Sequence, residues 1–285
     1  MPELKPYRGD YYLWKYIPST PAAGIFTALF ALGTVYIAWR MFKSRAWFCT
    51  AFIIGGLLEV VGYASRATAR DQTEKLMPFV IQSTFILIAP ALFAASVYMV
   101  LARVIRSVGA ESLSIVPIRW LTKIFVCGDI VSFVVQASGA GIMVTADSMK
   151  TGENIILGGL FIQIVIFGLF ALTAIVFEVR LRRQGSAVSL DRELSWKSTM
   201  LMLYVVSVLI MVRSIFRVIE YIMGNDGYPL RNEWTLYVFD ACLMFGVVVA
   251  FGWRFPDSFD PRKVGDLEME PSHGRRDSYA RERAT

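Results

Sequence analysis

The stretch DIVSFVVQASGAG places Asp129, Ser132 and Gln136 at spacings of three and four, so a helix would carry them on one side. A carboxylate accepts a proton or a cation, and an amide both donates and accepts, so this stripe suits a polar headgroup. Other stretches carry comparable groups. RSIFRVIE puts Arg213, Arg217 and Glu220 on one helical face, and EWTLYVFDACLM does the same for Glu233, Tyr237 and Asp240. GGLLEVVGYASR holds Glu59, FVIQSTF holds Gln82 and GGLFIQIVIF holds Gln163. Each lies in an apolar run or, for Glu233, at the edge of one. A charge at bilayer depth costs about 2.5–3.5 kcal/mol on insertion scales and usually faces a protein interior or a wet cavity.

Seven such runs position these residues. They lie near Ala22–Trp39, Trp47–Ala64, Pro78–Leu101, Leu121–Thr145, Ile155–Glu178, Thr199–Met223 and Trp234–Trp253. Each meets the roughly 20-residue need of a spanning helix. With 55% hydrophobic and only 18% charged residues over 285 positions, the chain reads as an all-α integral membrane protein, a seven-helix bundle. The expected organisation is an arm over residues 1–21, a transmembrane domain over 22–253 and a disordered tail over 254–285, rich in charge, Pro and Ser.

Of the 29 Lys and Arg residues, 19 fall in alternate connections and the tail, and 8 fall on the opposite side. The positive-inside rule then predicts an external N-terminus and a cytoplasmic C-terminus. The net charge of +6 reads as orientation and attraction to anionic headgroups, with no nucleic-acid partner expected. Cys49, Cys127 and Cys242 fall inside predicted helices and are expected as packed free thiols. His273, the single histidine, lies in the tail, so no catalytic set, metal site or cofactor is expected. No Walker A pattern appears, and the chain reads as a protein other than an enzyme.

Helices two to seven each place a polar residue between the midplane and the outer interface. The economical reading is one polar cavity open toward the outside, lined by Glu59, Gln82, Asp129, Gln136, Gln163, Arg213, Arg217, Glu220, Glu233 and Asp240. The two arginines suit bidentate pairing with Asp129, Asp240, Glu59 or Glu220. The same set also suits a closed network that locks the bundle without a ligand. Gly55–Gly56, Gly158–Gly159 and Ser138–Gly141 predict close helix packing. Pro90 predicts a kink in the third helix.

On QSTFILIAPALFAASVYMVLARVI, CGDIVSFVVQASGAGIM, GENIILGGLFIQIVIFGLF and RSIFRVIEYIMGNDGYPLRNEWTLYVFDACLMF, the chain resembles the RTA1-like family of fungal seven-helix membrane proteins, also called lipid-translocating exporters. The Asp-x-x-Ser-x-x-x-Gln pattern of the fourth helix and the Arg-x-x-x-Arg-x-x-Glu pattern of the sixth are its most specific parts. The chain departs from the family pattern at ASGAG and RFPDS. The resemblance implies a plasma-membrane or endomembrane protein that exports amphiphilic lipids or toxic amphiphiles such as sphingoid bases. It also places the nine polar residues other than Glu59 on the family's recurrent polar sites. A seven-helix lipid-state sensor without transport is the alternative; its helices lack the DRY-type and NPxxY signatures of G-protein-coupled receptors.

Overall fold

A computed structural model of the chain describes Trp14, Tyr16 and residues 18–70, 76–143, 149–183, 190–224 and 227–255. Most of the arm, and the tail beyond Phe255 with His273, lie outside the described residues. Six long helices come first: α1 (Thr20–Ser44), α2 (Thr50–Ala69), α3 (Leu76–Val108), α4 (Ile118–Met143), α5 (Met149–Arg183) and α6 (Leu190–Ile222). One turn, α7 (Tyr228–Arg231), leads into the seventh span, Glu233–Trp253. That span is composite: α8 (Glu233–Leu236), a π-helical segment (Tyr237–Cys242) and α9 (Leu243–Trp253). Seven helices are thus long and apolar enough to cross a membrane.

Hydropathy located the apolar centres of the spans but not the helix ends. The apolar run of α3 was expected to end at Leu101, yet the helix continues through Arg103 and Arg106 to Val108. Similarly, α5 runs through Arg180 and Arg182 to Arg183, so the stretch EVRLRR at and beyond the Glu178 end of the apolar run is helical. A helix satisfies its own backbone hydrogen bonds in water as well as in lipid, so nothing obliges it to stop at the interface. α2 extends to Ala69 and takes in Arg66, which lies beyond the Ala64 end of the apolar run.

Neighbours in sequence pack side by side, and α9 closes against α1 and α6, while α3 also reaches α6. α3 is the most buried of the seven spans and α1 the least. Lipid-facing surfaces carry Leu32, Trp39, Val134, Leu172 and Val208, all exposed. Lipid gives no hydrophobic drive between helices, so close packing must hold them. Aromatic rings do much of this: Phe52 stacks on Phe251 at 4.1 Å and lies 4.5 Å from Phe93, while Tyr98 meets Phe170 at 4.4 Å.

Glycines supply the closest approaches. A Cβ on Gly56 would lie 2.2 Å from Thr34 Oγ1 of α1, and one on Gly55 would lie 3.0 Å from Phe93. On the α4–α5 seam, a Cβ on Gly159 would meet Gln136 Cγ at 2.7 Å and the Ser132 carbonyl at 2.9 Å. Gly158 and Gly141 depart from the expectation of packing, since a Cβ at either meets nothing within 4 Å among the described residues. The reason is angular: one residue along a helix turns the Cβ by about 100°, away from the neighbour. Gly159→Val is therefore expected to destabilise by about 1–3 kcal/mol through overpacking. Gly158→Val, with the same change in composition, should leave the thermal unfolding midpoint in detergent nearly unmoved.

Two of the three cysteines also depart from expectation. Cys49 is buried, but Cys127 and Cys242 are exposed free thiols on the bundle surface. A thiol behaves as a small hydrophobe, so a lipid-facing position suits it.

Candidate functional site

Arg66 organises the end of the bundle at which α1 begins. A stripe on α2 (Phe52, Gly55, Glu59, Gly62, Tyr63, Arg66 and Ala69) is buried at helical spacing, and it carries Arg66 inward. The Arg66 guanidinium donates from Nη2 to Tyr16 Oη and Glu233 Oε1, each at 2.8 Å, and from Nε to Tyr237 Oη at 3.1 Å. The rings of Trp14, Tyr16 and Tyr237 stand 5.3–5.6 Å from it, within cation–π range. Glu233 has a second task. Both of its oxygens accept the Ser19 backbone N–H, at 2.8 and 3.1 Å, so the seventh span caps the start of α1. A carboxylate there also meets the positive end of the α1 dipole. Burial raises the Tyr16 phenol above its ordinary value, with Arg66 opposing, so the hydroxyl stays neutral and accepts from the guanidinium.

Deeper in the bundle, Arg213 of α6 pairs through Nε with Asp240 Oδ1, and both side chains are almost fully buried. Its Nη2 donates to the Ile86 carbonyl at 2.8 Å. This second bond follows from the sequence of α3. Pro90, four residues after Ile86, has no N–H to give that carbonyl, and the neighbouring helix supplies the donor instead. α3 remains one helix through Pro90. The π-helical segment centres the same contact from the other side, carrying Tyr237, Asp240 and Ala241 inward. π-Segments are rare and concentrate at functional sites.

Glu59 and Tyr63 complete this level. Glu59 is fully buried and within electrostatic reach of Asp240 and Arg213. Tyr63, one turn along α2, stacks on Phe30 at 5.5 Å and on Tyr237 at 6.4 Å. Both Glu59 oxygens, Tyr63 Oη and Asp240 Oδ2 have no hydrogen-bond partner among the described residues. Beside them, Arg217 Nη1 donates to Glu220 Oε2 at 2.7 Å on the same helix, and its charge reaches Asp240.

The remaining candidates sit elsewhere. Asp129 Oδ2 accepts from Tyr98 Oη at 2.9 Å, across the α3–α4 seam. Gln136 Nε2 donates to Gln163 Oε1 at 3.2 Å across the α4–α5 seam, where Gly159 admits it. Gln82 is buried on α3, one turn before Ile86, and its Oε1 has no hydrogen-bond partner among the described residues. Tyr98 lies twelve residues beyond Ile86, about 18 Å along α3 at 1.5 Å per residue. The polar stripe of α4 is therefore divided between two neighbours, and Asp129 lies one level away from the arginines.

The sequence reading missed Arg66, Tyr16, Tyr63 and Tyr98. For Arg66 a signal existed: Glu59, Tyr63 and Arg66 recur at four and three, continuing the stripe beyond the apolar run. Tyr98 gave none, because a tyrosine in an apolar helix reads as packing until its hydroxyl partner is known.

With this placement, three arginines each hold a carboxylate (Arg66–Glu233, Arg213–Asp240 and Arg217–Glu220), and the charges are gathered inside seven apolar spans. That defines a multi-pass membrane protein with an internal ionic network. The family described as RTA1 like protein matches residues 52–262, and the chain belongs to that family. It is 37% identical to Protein RTA1 of Saccharomyces cerevisiae, over 86% of this chain and 84% of the relative. It is 40% identical to Protoporphyrin uptake protein 1 of the same species, over 73% of this chain and 69% of the relative. Sphingoid long-chain base transporter RSB1, also from Saccharomyces cerevisiae, is 29% identical over 84% of this chain and 72% of its own length. No solved structure matches.

Proposed function

We propose that this protein moves amphiphilic molecules with a cationic or zwitterionic head, of the sphingoid-base kind, across a membrane. The head enters among Glu59, Gln82, Arg213, Arg217, Glu220, Glu233 and Asp240 and passes Asp129, Gln136 and Gln163 on the seams of α4, while the tail stays among helices or in lipid. The N-terminus faces outward and the C-terminus the cytoplasm, with the plasma membrane as the site of action. The carrying observation is that, among the described residues, carboxylates inside the bundle outnumber arginines: Glu59 and Asp129 remain once Arg66, Arg213 and Arg217 are paired. A relative named for sphingoid base transport supports the same reading.

Purified protein in vesicles is expected to move a labelled long-chain base faster than protein-free vesicles do. Asp129→Asn keeps an acceptor for the Tyr98 hydroxyl but removes the charge. It should preserve the fold and slow flux about 10- to 100-fold, as expected for a lost charged hydrogen bond worth about 1.5–3 kcal/mol. No flux from wild-type protein would overturn transport and leave the sensor reading standing.

A further inference from the structure

The charges around Asp240 do not balance. Glu59, Asp240, Glu220 and Glu233 face Arg213, Arg217 and Arg66, and each arginine is bonded to a carboxylate other than Glu59. Glu59 is completely shielded from solvent, and neither of its oxygens has a hydrogen-bond partner among the described residues. The groups that act on it are Asp240 and Arg213, with Tyr63 on its own helix. At this level α1 and α3 add no ionisable side chain: the nearest on α1 are Tyr36 and Arg40, and on α3 Tyr98 and Arg103. An unpaired carboxylate in such a place is strongly disfavoured, and a proton removes the charge at once.

We infer that Glu59 is a proton–cation exchange site, which gives up its proton when the primary ammonium of an amphiphile takes the proton's place. The inference rests on the proposed transport of cationic amphiphiles and names the group that selects the head. The exchange conserves charge. With Glu59 protonated, Arg213 and Asp240 cancel and the cluster is neutral. When an ammonium enters, the Glu59 O–H bond breaks and the proton passes to bulk water. The new carboxylate and the ammonium then cancel in turn. The ammonium also meets Asp240 Oδ2 and Tyr63 Oη, which lack partners. A neutral amphiphile with the same tail gives no reason for the proton to leave. Each loading thus carries one cation in exchange for one proton, and a pH gradient can drive movement without a nucleotide.

Infrared difference spectroscopy on the full chain in lipid vesicles tests this, with a long-chain primary amine and its uncharged N-acyl analogue as probes. The amine should remove the C=O stretch of a protonated carboxylic acid, and the analogue should not. In Glu59→Gln that band should be missing and the amine should bind about tenfold more weakly or worse. In Glu59→Asp, which keeps an acid there, the band should persist at a shifted frequency; this assigns the band even if the glutamine variant folds poorly. A band that survives saturating amine in wild-type protein, or that is identical in wild type, Glu59→Gln and Glu59→Asp, overturns the exchange site. These results stand apart from the flux measurement: proton release without flux sinks transport alone, and flux without proton release sinks the exchange alone.

Discussion

Arg213→Ala is expected to be the most damaging single substitution, lowering stability by about 3–5 kcal/mol. Asp240 would keep its charge in a site almost closed to solvent with its cation gone, and the Ile86 carbonyl freed by Pro90 would lose its donor. The size follows from what is left behind rather than from the worth of the ion pair. An intact buried pair adds little over apolar packing, because desolvating both ions offsets most of their attraction. The companion result is therefore decisive: Arg213→Met combined with Asp240→Leu should recover most of the loss. Thermal unfolding in detergent, followed by size-exclusion chromatography of the heated samples, measures both. A double variant no more stable than Arg213→Ala would show that the pair acts by more than mutual neutralisation.

Glu233→Ala should release the start of the chain. Its carboxylate joins Arg66, the Ser19 N–H and Tyr237, and removal leaves a buried guanidinium held by two phenols. Because Glu233 is partly exposed, water can replace some of what is lost, and the expected cost falls to about 2 kcal/mol. That corresponds to roughly thirtyfold faster opening where α1 begins. Hydrogen exchange of a peptide covering Ser19 and the first turns of α1 reads this directly. Peptides from the α4–α5 seam, which share no contact with Glu233 in this network, should exchange as in wild type. Glu233→Gln should fall between, since its amide oxygen still accepts from Ser19 while the charge opposite Arg66 is gone.

The two substitutions differ in how far they could be foreseen. Arg213 and Asp240 were legible as buried because a charge in an apolar run has few alternatives to facing the protein interior. Their pairing was one of several allowed by spacing, and α4 was as plausible a source for the carboxylate as the seventh span. Glu233 was legible, but its partner was not, because hydropathy averages over a window and ended the second span before Arg66. The same averaging hid the helical continuations of α3 and α5.

The sequence by itself determined the class. Seven runs of sufficient length leave little choice but helices, since in lipid every backbone group must be satisfied within the segment. Hydropathy and periodicity also marked which residues are too polar to face acyl chains. Tertiary structure alone decided the partnerships: Asp240 with Arg213, Asp129 with Tyr98, Arg66 with Glu233, and, among the described residues, Glu59 with no cation of its own. The physical reason is that membrane burial is a property of one helix and its composition. Pairing depends instead on helix rotation and depth, which are set by where glycines admit a neighbour, where Pro90 frees a carbonyl and where a π-helical segment turns Asp240 inward.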